Sequence, residues 1–403
     1  MTKLDFSNRL RLKKLESEMS QVSIIRCRDY NPQNVQRAVD EAVGLLGGIE
    51  RFIKPSQSVL IKPNILSGRP PEDGVCTHPE VVRAVIRLAR RVTDNVVVGD
   101  SPGGFEVIDL DQIYEASGIK DVCQEEAVKL IKFDSVVKID GIPFARAVKK
   151  ADVIINLPKM KTHGFTTLTG AIKNTFGTVV GKYKAESHFR YPKKEDFNTA
   201  LIDIFSHVRP GLNIMDAIVA MEGNGPTAGR LRNAGLILAS PDAVSLDAVF
   251  AGLIGVSYQE IDMISQAAQM GFGTADISQI EVLGCQIKDC RLDNFILPEA
   301  SFIYSAPHWI IRIFGNLIRS YPFIDKAVCV GCRICEKNCP AIAIDIDKYR
   351  IDYSKCIYCF CCSELCPKNA VGSRKSLTGN LLNLLIKLRF KWLSRRLNGK
   401  ITA

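Results

Sequence analysis

Two cysteine runs carry the most specific chemistry in this 403-residue chain. Cys329, Cys332, Cys335 and Cys339 are followed by Pro340, and Cys356, Cys359, Cys362 and Cys366 by Pro367. Each run reads C-x2-C-x2-C-x3-C-P. In such a run three cysteines ligate one cubane iron–sulfur cluster and the fourth reaches across to the next. The spacing therefore predicts two 4Fe–4S clusters, one on Cys329, Cys332, Cys335 and Cys366, the other on Cys356, Cys359, Cys362 and Cys339. Zinc on paired C-x2-C units is the competing use of such cysteines, but zinc requires neither the third step nor the repeated Cys-Pro. Cys361 breaks the spacing and reads as a small packing residue. Between the runs, "AIAIDIDKYRIDYSK" is expected to form a short hairpin separating two pseudosymmetric halves. A cluster pair of this kind takes up and passes on single electrons.

A second constellation is cationic. "NLPKMKTHGFTTLTGAIKNTFGTVVGKYKAESHFR" (156–190) holds Lys159, Lys161, Lys173, Lys182, Lys184 and Arg190 against one acid, Glu186, with His163 and His188 among them. It starts where an apolar strand ends, which is where open α/β sheets bind ligands. Lysines beside glycines at such a place suit a small anion. Other strand ends add Lys62 and Asn64, Asp100, and Glu222, while Asn174 follows Lys173. The expected substrate-binding set is Lys62, Asn64, Asp100, Lys159, Lys161, Lys173, Asn174 and Glu222. His163 is the first candidate for proton transfer and His188 the second, because an imidazole titrates near neutral pH. His207 and His308 lie in helical stretches and read as structural.

Two tempting motifs fail. "GNGPTAG" (223–229) lacks the spacing of a dinucleotide fingerprint and leaves no room for the helix that would face a pyrophosphate, so a nicotinamide cofactor is not expected. In "THPE" (77–80), Thr77 and Glu80 fit a capping box; the role of His78 stays open.

The elements that must position these residues alternate. Apolar runs at 22–27, 58–63, 95–100, 152–158, 212–220 and 235–240 read as strands, and segments 32–48, 78–93 and 241–255 as helices, the last with Ser240 as N-cap and Pro241 as first residue. This pattern predicts an α/β body at 21–285, a layered fold around a largely parallel sheet. A charged segment (1–20) precedes it. A connecting segment (286–324) with an amphipathic helix near 307–320 follows. A small α+β ferredoxin-like domain (325–372) and a basic amphipathic tail (373–403) complete the chain.

Nine of the 14 cysteines fall between Cys329 and Cys366. In a long chain without an apolar leader this suggests a metal site in a reducing compartment, with no disulfide framework. The net charge is +10, of which the tail from Ser373 supplies +8. The near-neutral remainder gives no reason to expect nucleic-acid binding. Leu381, Leu384, Leu385, Leu388 and Trp392 fall on one helical face of the tail, with Lys387, Lys391 and Arg395 on another. That arrangement suits a helix lying on an anionic membrane surface, or equally one packed on the protein.

Together "LIKPN", "THPEVVRAV", "VVVGDSPG", "NLPKMKTHG", "GAIKNTFG" and "GNGPTAG", followed by the two cysteine runs, resemble the domain of unknown function 362 family with a bacterial-type two-cluster ferredoxin module. The resemblance spans about 58–372 and implies a fold and a cluster module more than a reaction. The family's body is similar at fold level to the N-terminal part of nickel-pincer lactate racemases. That similarity would give parts to His78, His163, His188 and Lys173, although no motif matches residue for residue. The expectation is a cytoplasmic iron–sulfur oxidoreductase, either free or lying peripherally on the inner membrane face through 377–400, served by a redox partner protein and acting on a small anion. The alternatives are an electron carrier between proteins and a non-redox enzyme.

Overall fold

The computed structural model describes residues 19–103, 109–191, 193–298 and 320–375. The amphipathic stretch at 307–320, save Ser320, His308 and the tail helix expected at 377–400 lie outside them. The body strands are β1 (Ser20–Arg26), β2 (Val59–Pro63), β3 (Val96–Val98), β4 (Lys129–Leu130), β5 (Val136–Ile139), β6 (Ile142–Ala145), β7 (Val153–Leu157), β8 (Lys159–His163), β9 (Thr167–Thr169), β10 (Leu212–Glu222), β11 (Arg230–Ser240) and β12 (Ile280–Gly284). The main sheet runs β12-β1-β11-β10-β7-β2-β3-β4, with β8 branching from β10 and β9 from β8. Pairings are parallel from β10 through β7, β2 and β3 to β4, and antiparallel on either side of β11.

Both faces of the sheet are covered, which is why its strands are apolar runs and not alternating ones. Helices Pro32–Gly44 and Pro79–Ala89 bury Val35, Val39, Val82 and Val85 on one face. Helices Lys194–Val208, Ala243–Leu253 and Asp262–Gln269 bury Phe197, Leu201, Val249 and Ile264 on the other. Among the described residues no helix is long and apolar enough to cross a membrane.

Three local expectations are corrected. Asp242, not Ser240, caps helix Ala243–Leu253, its Oδ1 accepting from Val244 N and Ser245 N at 2.8 and 3.0 Å; Ser240 Oγ instead donates to Gln21 O across the sheet. His78, not Thr77, caps helix Pro79–Ala89, its Nδ1 accepting from Glu80 N at 3.2 Å. Thr77 Oγ1 is taken by Leu157 O and Asn64 N, and Glu80 turns to Arg83. Cys285 and Cys290, in a chain expected to hold no disulfide framework, are disulfide-bonded, the turn at Ile287–Asp289 setting their Cα atoms 6.6 Å apart.

The C-terminal module begins inside the segment expected to connect. Strand β13 (Ser320–Ile324) pairs antiparallel with β16 (Val371–Lys375), and the expected hairpin forms between β14 (Ile344–Asp345) and β15 (Arg350–Ile351). Its two halves repeat each other. Arg333 and Phe360 adopt φ of 59° and 60°, and each starts a short helix, Ile334–Lys337 and Cys361–Leu365.

Two glycines of "GAIKNTFG" decide how the body closes. A Cβ on Gly170 would lie 2.1 Å from Asp247 Oδ1, and one on Gly177 2.2 Å from Asp100 Oδ1 and 2.8 Å from Lys62 Nζ. Neither buried carboxylate can move without losing its own partners. Gly177→Ala should therefore lower unfolding stability by about 1–3 kcal/mol, read as a reduced midpoint in urea.

Candidate functional site

The cysteines of the module ring two cavities. Cys329, Cys332, Cys335 and Cys366 line one; Cys339, Cys356, Cys359 and Cys362 line the other. This is the crossed arrangement the spacing predicts, with the fourth cysteine of each run facing the other run's trio. Backbone amides reach sulfur symmetrically four residues on: Ala343 N to Cys339 Sγ at 3.3 Å and Ala370 N to Cys366 Sγ at 3.2 Å. Such donors stabilise thiolate ligands. Among the described residues no His, Cys, Asp or Glu group gathers around a single ion, as thiolates spread over the corners of a cubane would not. The residues fit 4Fe–4S ligation. Cys361 stands one place into its helix, at the position Ile334 occupies in the other half. It is buried there and also lines the second cavity.

The body's lysines are not solvated. β8 is buried along its whole length, Lys159 and Lys161 included. Lys159 Nζ is bound to Asp216 Oδ2 at 2.7 Å and to Tyr30 Oη at 2.7 Å, and His78 stacks on Tyr30 at 3.6 Å between ring centroids. Lys161 Nζ donates to Val75 O at 2.6 Å. Burial pulls its ammonium down to about 7, with Cys76 opposing and Lys173 assisting. Lys62 Nζ pairs with Asp100 Oδ1 at 2.8 Å, and Asp100 Oδ2 also accepts from Ile65 N. Glu222 lies far down β10, paired with Arg230 and Arg232 and accepting from Ile296 N.

A cavity of about 90 Å³ lies where the body meets the module. The body contributes Asn64, Asp100, Thr169, Lys173, Asn174, Lys184 and His188 to its lining; the module contributes Asn338, Cys361, Glu364 and Leu365. The expected set is thus divided. Asn64, Asp100, Lys173, Asn174 and His188 converge on the cavity. Lys62 sits beneath it on Asp100, and His163 and Lys161 stand behind it. Lys159 and Glu222 belong to separate ion pairs.

Helix Ala171–Asn174 aims Lys173 and is itself held by Asp247, which accepts from Ala171 N at 2.6 Å and Ile172 N at 3.1 Å. Burial pushes the Asp247 carboxyl up to about 7 against those two amides. Lys173 donates no hydrogen bond among the described residues. Burial lowers its pKa, Glu364 and Cys361 opposing. Lys184 ties the loop after β3 to this wall through Ser101 O, Ser101 Oγ and Pro102 O at 2.7, 2.8 and 2.5 Å.

Glu364, Cys361 and Arg69 are absent from the expected site. Glu364 Oε1 lies 3.2 Å from His163 Nε2. His163 Nδ1 accepts from Phe165 N and Thr166 N at 3.1 and 3.2 Å, so the neutral ring carries its proton on Nε2 and donates it to Glu364. Burial alone would raise the Glu364 carboxyl; His163 and Lys173 overcome it and hold the group down to about 2. Arg69 Nη2 donates to Cys366 O and Asn369 Oδ1, both at 2.6 Å. The one local signal was a charged residue inside a C-x3-C turn, and nothing local says which way it faces.

His163 and His188 are both pulled down to about 4, first by burial, then by Lys173, with Glu364 opposing. Each is neutral in the folded protein where its unfolded counterpart, with a pKa near 6.5, takes up a proton. Folding stability should therefore be unaffected by these groups above pH 6.5 and fall as pH drops toward about 4. The loss is up to about 3 kcal/mol per histidine, visible as a lower urea midpoint at pH 5 than at pH 7. Replacing His188 by Phe, which keeps the stack on Phe197, should remove its share of that slope.

A family model described as a domain of unknown function (DUF362) matches residues 59–252, and one for a 4Fe–4S dicluster domain matches residues 321–367. A thylakoid-associated protein of Synechocystis sp. is 32% identical over 285 residues, covering 69% of this chain and 88% of that protein. Among solved structures, the lactate racemase apoprotein from Thermoanaerobacterium thermosaccharolyticum gives a TM-score of 0.38 at 11% identity, over 57% of this chain and 55% of the racemase. A Thermotoga maritima protein gives 0.36 at 13% identity, over 65% of this chain and 62% of its own; the chain thus spans less than two thirds of either structure. Given the cysteine geometry, the two matched segments and a relative matched over 88% of its own length, the chain is an iron–sulfur protein that belongs to the DUF362 family and carries a C-terminal 4Fe–4S dicluster domain.

Proposed function

We propose that this protein is an oxidoreductase with two 4Fe–4S clusters and a small anionic substrate held between body and module. The observation that carries the reading is the shared wall. Helix Cys361–Leu365 begins between cluster ligands Cys359 and Cys362 and ends at Cys366, and its Cys361, Glu364 and Leu365 also line the body's cavity. When bound, the clusters supply single low-potential electrons. The chain's own residues do the rest. Lys173 offers the charge that holds an anion, Leu365 and Phe176 help exclude water, and Glu364 sits where it can share a proton with His163 Nε2.

The module supports an order of use. Cys361 borders both the Cys339/Cys356/Cys359/Cys362 cavity and the substrate cavity. Cys332 of the other set is exposed, with Val330 62% exposed beside it. A redox partner protein would meet that outer set, and the inner set would face the substrate. A carrier passing electrons only between proteins has no use for a lined cavity on the inner side.

The test is anaerobic. The holoprotein should carry about eight irons, falling to about four when Cys362 is replaced by Ser and staying at about eight for Cys361→Ser. Chemically reduced protein mixed with a small-molecule extract should lose its reduced-cluster spectrum as one metabolite gains electrons. Lys173→Gln should slow that reoxidation at least about tenfold with iron content unchanged. Reoxidation that needs only a protein fraction would favour the carrier.

The thylakoid-associated relative and the basic amphipathic composition of 377–400 support cytoplasmic placement against an anionic membrane surface. Deletion of 377–403 should move the protein from the membrane to the soluble fraction; an unchanged partition rejects the membrane role.

A further inference from the structure

Four side-chain amides, three of them buried and Asn64 half-buried, form a line that ends at the cavity. Asn213 Nδ2 donates to Ser240 O at 3.2 Å. Asn156 Nδ2 donates to Asn213 Oδ1 at 2.9 Å and to Ala171 O at 3.0 Å. Asn174 Nδ2 donates to Asn156 Oδ1 at 2.8 Å and to Pro63 O at 3.5 Å. Asn64 Nδ2 donates to Asn174 Oδ1 at 2.9 Å. A backbone carbonyl only accepts, so Ser240 O, Ala171 O and Pro63 O each force an amide to present its NH2 there. The direction of the whole line follows, and at its end Asn64, a residue of the cavity lining, keeps its Oδ1 buried and unpartnered.

Two other buried atoms in the lining lack partners: Thr169 Oγ1, on a residue 2% exposed, and His188 Nδ1, on a residue 9% exposed. A buried acceptor left unmet costs free energy, so the wall is built for a ligand that brings a donor to Asn64. Lys173, whose ammonium donates no hydrogen bond among the described residues, asks for an anion. The anion is a monoanionic carboxylate rather than a phosphate. The amides of Ala171 and Ile172, which a phosphate would use, are already taken by Asp247. Glu364 in the same wall disfavours a second negative charge.

We propose that the cavity binds a small carboxylate carrying a hydroxyl or amino donor beside it, with Lys173 holding the carboxylate and Asn64 Oδ1 selecting for the donor. This rests on the reading that the cavity is the substrate site, and makes Asn64 its specificity determinant.

The test is calorimetric titration of the oxidised holoprotein with glycolate, glycine and acetate. At least one donor-bearing acid should bind about tenfold or more tighter than acetate. Asn64→Ala should abolish that preference while acetate affinity stays, and Lys173→Gln should weaken all of them about tenfold or more. Equal affinity for the three acids, or no binding of any, overturns the proposal; the wild-type comparison needs no variant to fold. No electron moves in this titration. Donor-selective binding without reoxidation of reduced clusters by any bound acid would overturn the oxidoreductase reading and leave the subsite standing.

Discussion

The contact between Glu364 and His163 is the constraint on which the site depends. It joins the short helix that leads into Cys366 to the end of the buried strand β8. A carboxylate buried here without a donor would be strongly unfavourable, and so would an imidazole whose Nε2–H lacked an acceptor. Each is satisfied only when the module is docked. Arg69, reaching from the body to Cys366 O and Asn369 Oδ1, fixes the same relation from the opposite side. The two contacts place the face of helix Cys361–Leu365 over the open strand ends, and the cavity is the space left between.

The body prepares for this with compensated charge. Lys62 is neutralised by Asp100, Lys159 by Asp216, and Glu222 by Arg230 and Arg232. Pairs as deeply buried as the first two add little net stability over apolar residues, but leaving one partner alone is costly. They therefore lock geometry more than they strengthen the fold. Against that background Lys173 differs in having its charge offset only at a distance by Glu364. Gly170 and Gly177 let Asp247 and Asp100 approach the helix that carries it, so its direction is set by two carboxylates outside the helix.

The same logic orients the polar lining. A single asparagine could turn its oxygen either way at small cost. In the line from Asn213 to Asn64, backbone carbonyls remove that freedom at three points. The orientation of Asn64 thus rests on the carbonyls of Ser240, Ala171 and Pro63, the first on a strand remote from the cavity.

The sequence by itself marked the two cysteine sets that the structure gathers around two cavities, because their spacing is local: each run closes in two-residue steps, and the Cys-Pro ends repeat. It also determined the layered α/β class, since apolar runs between amphipathic helices leave few other ways to bury both faces of a sheet. It marked Lys173, Asn64, Asp100, Asn174 and His188 as strand-end or near-strand polar residues that the structure brings to one cavity. Local pattern could not separate these from Lys159 and Glu222. A buried lysine satisfied by Asp216 and one facing a ligand look alike until strands distant in sequence are paired. Nor could it reveal Glu364, Cys361 and Arg69, whose roles exist only where the module and the body meet. Only the tertiary structure decided that meeting, because Glu364 meets His163 and Arg69 meets Cys366 across long stretches of chain, and no local rule of spacing or propensity reaches so far.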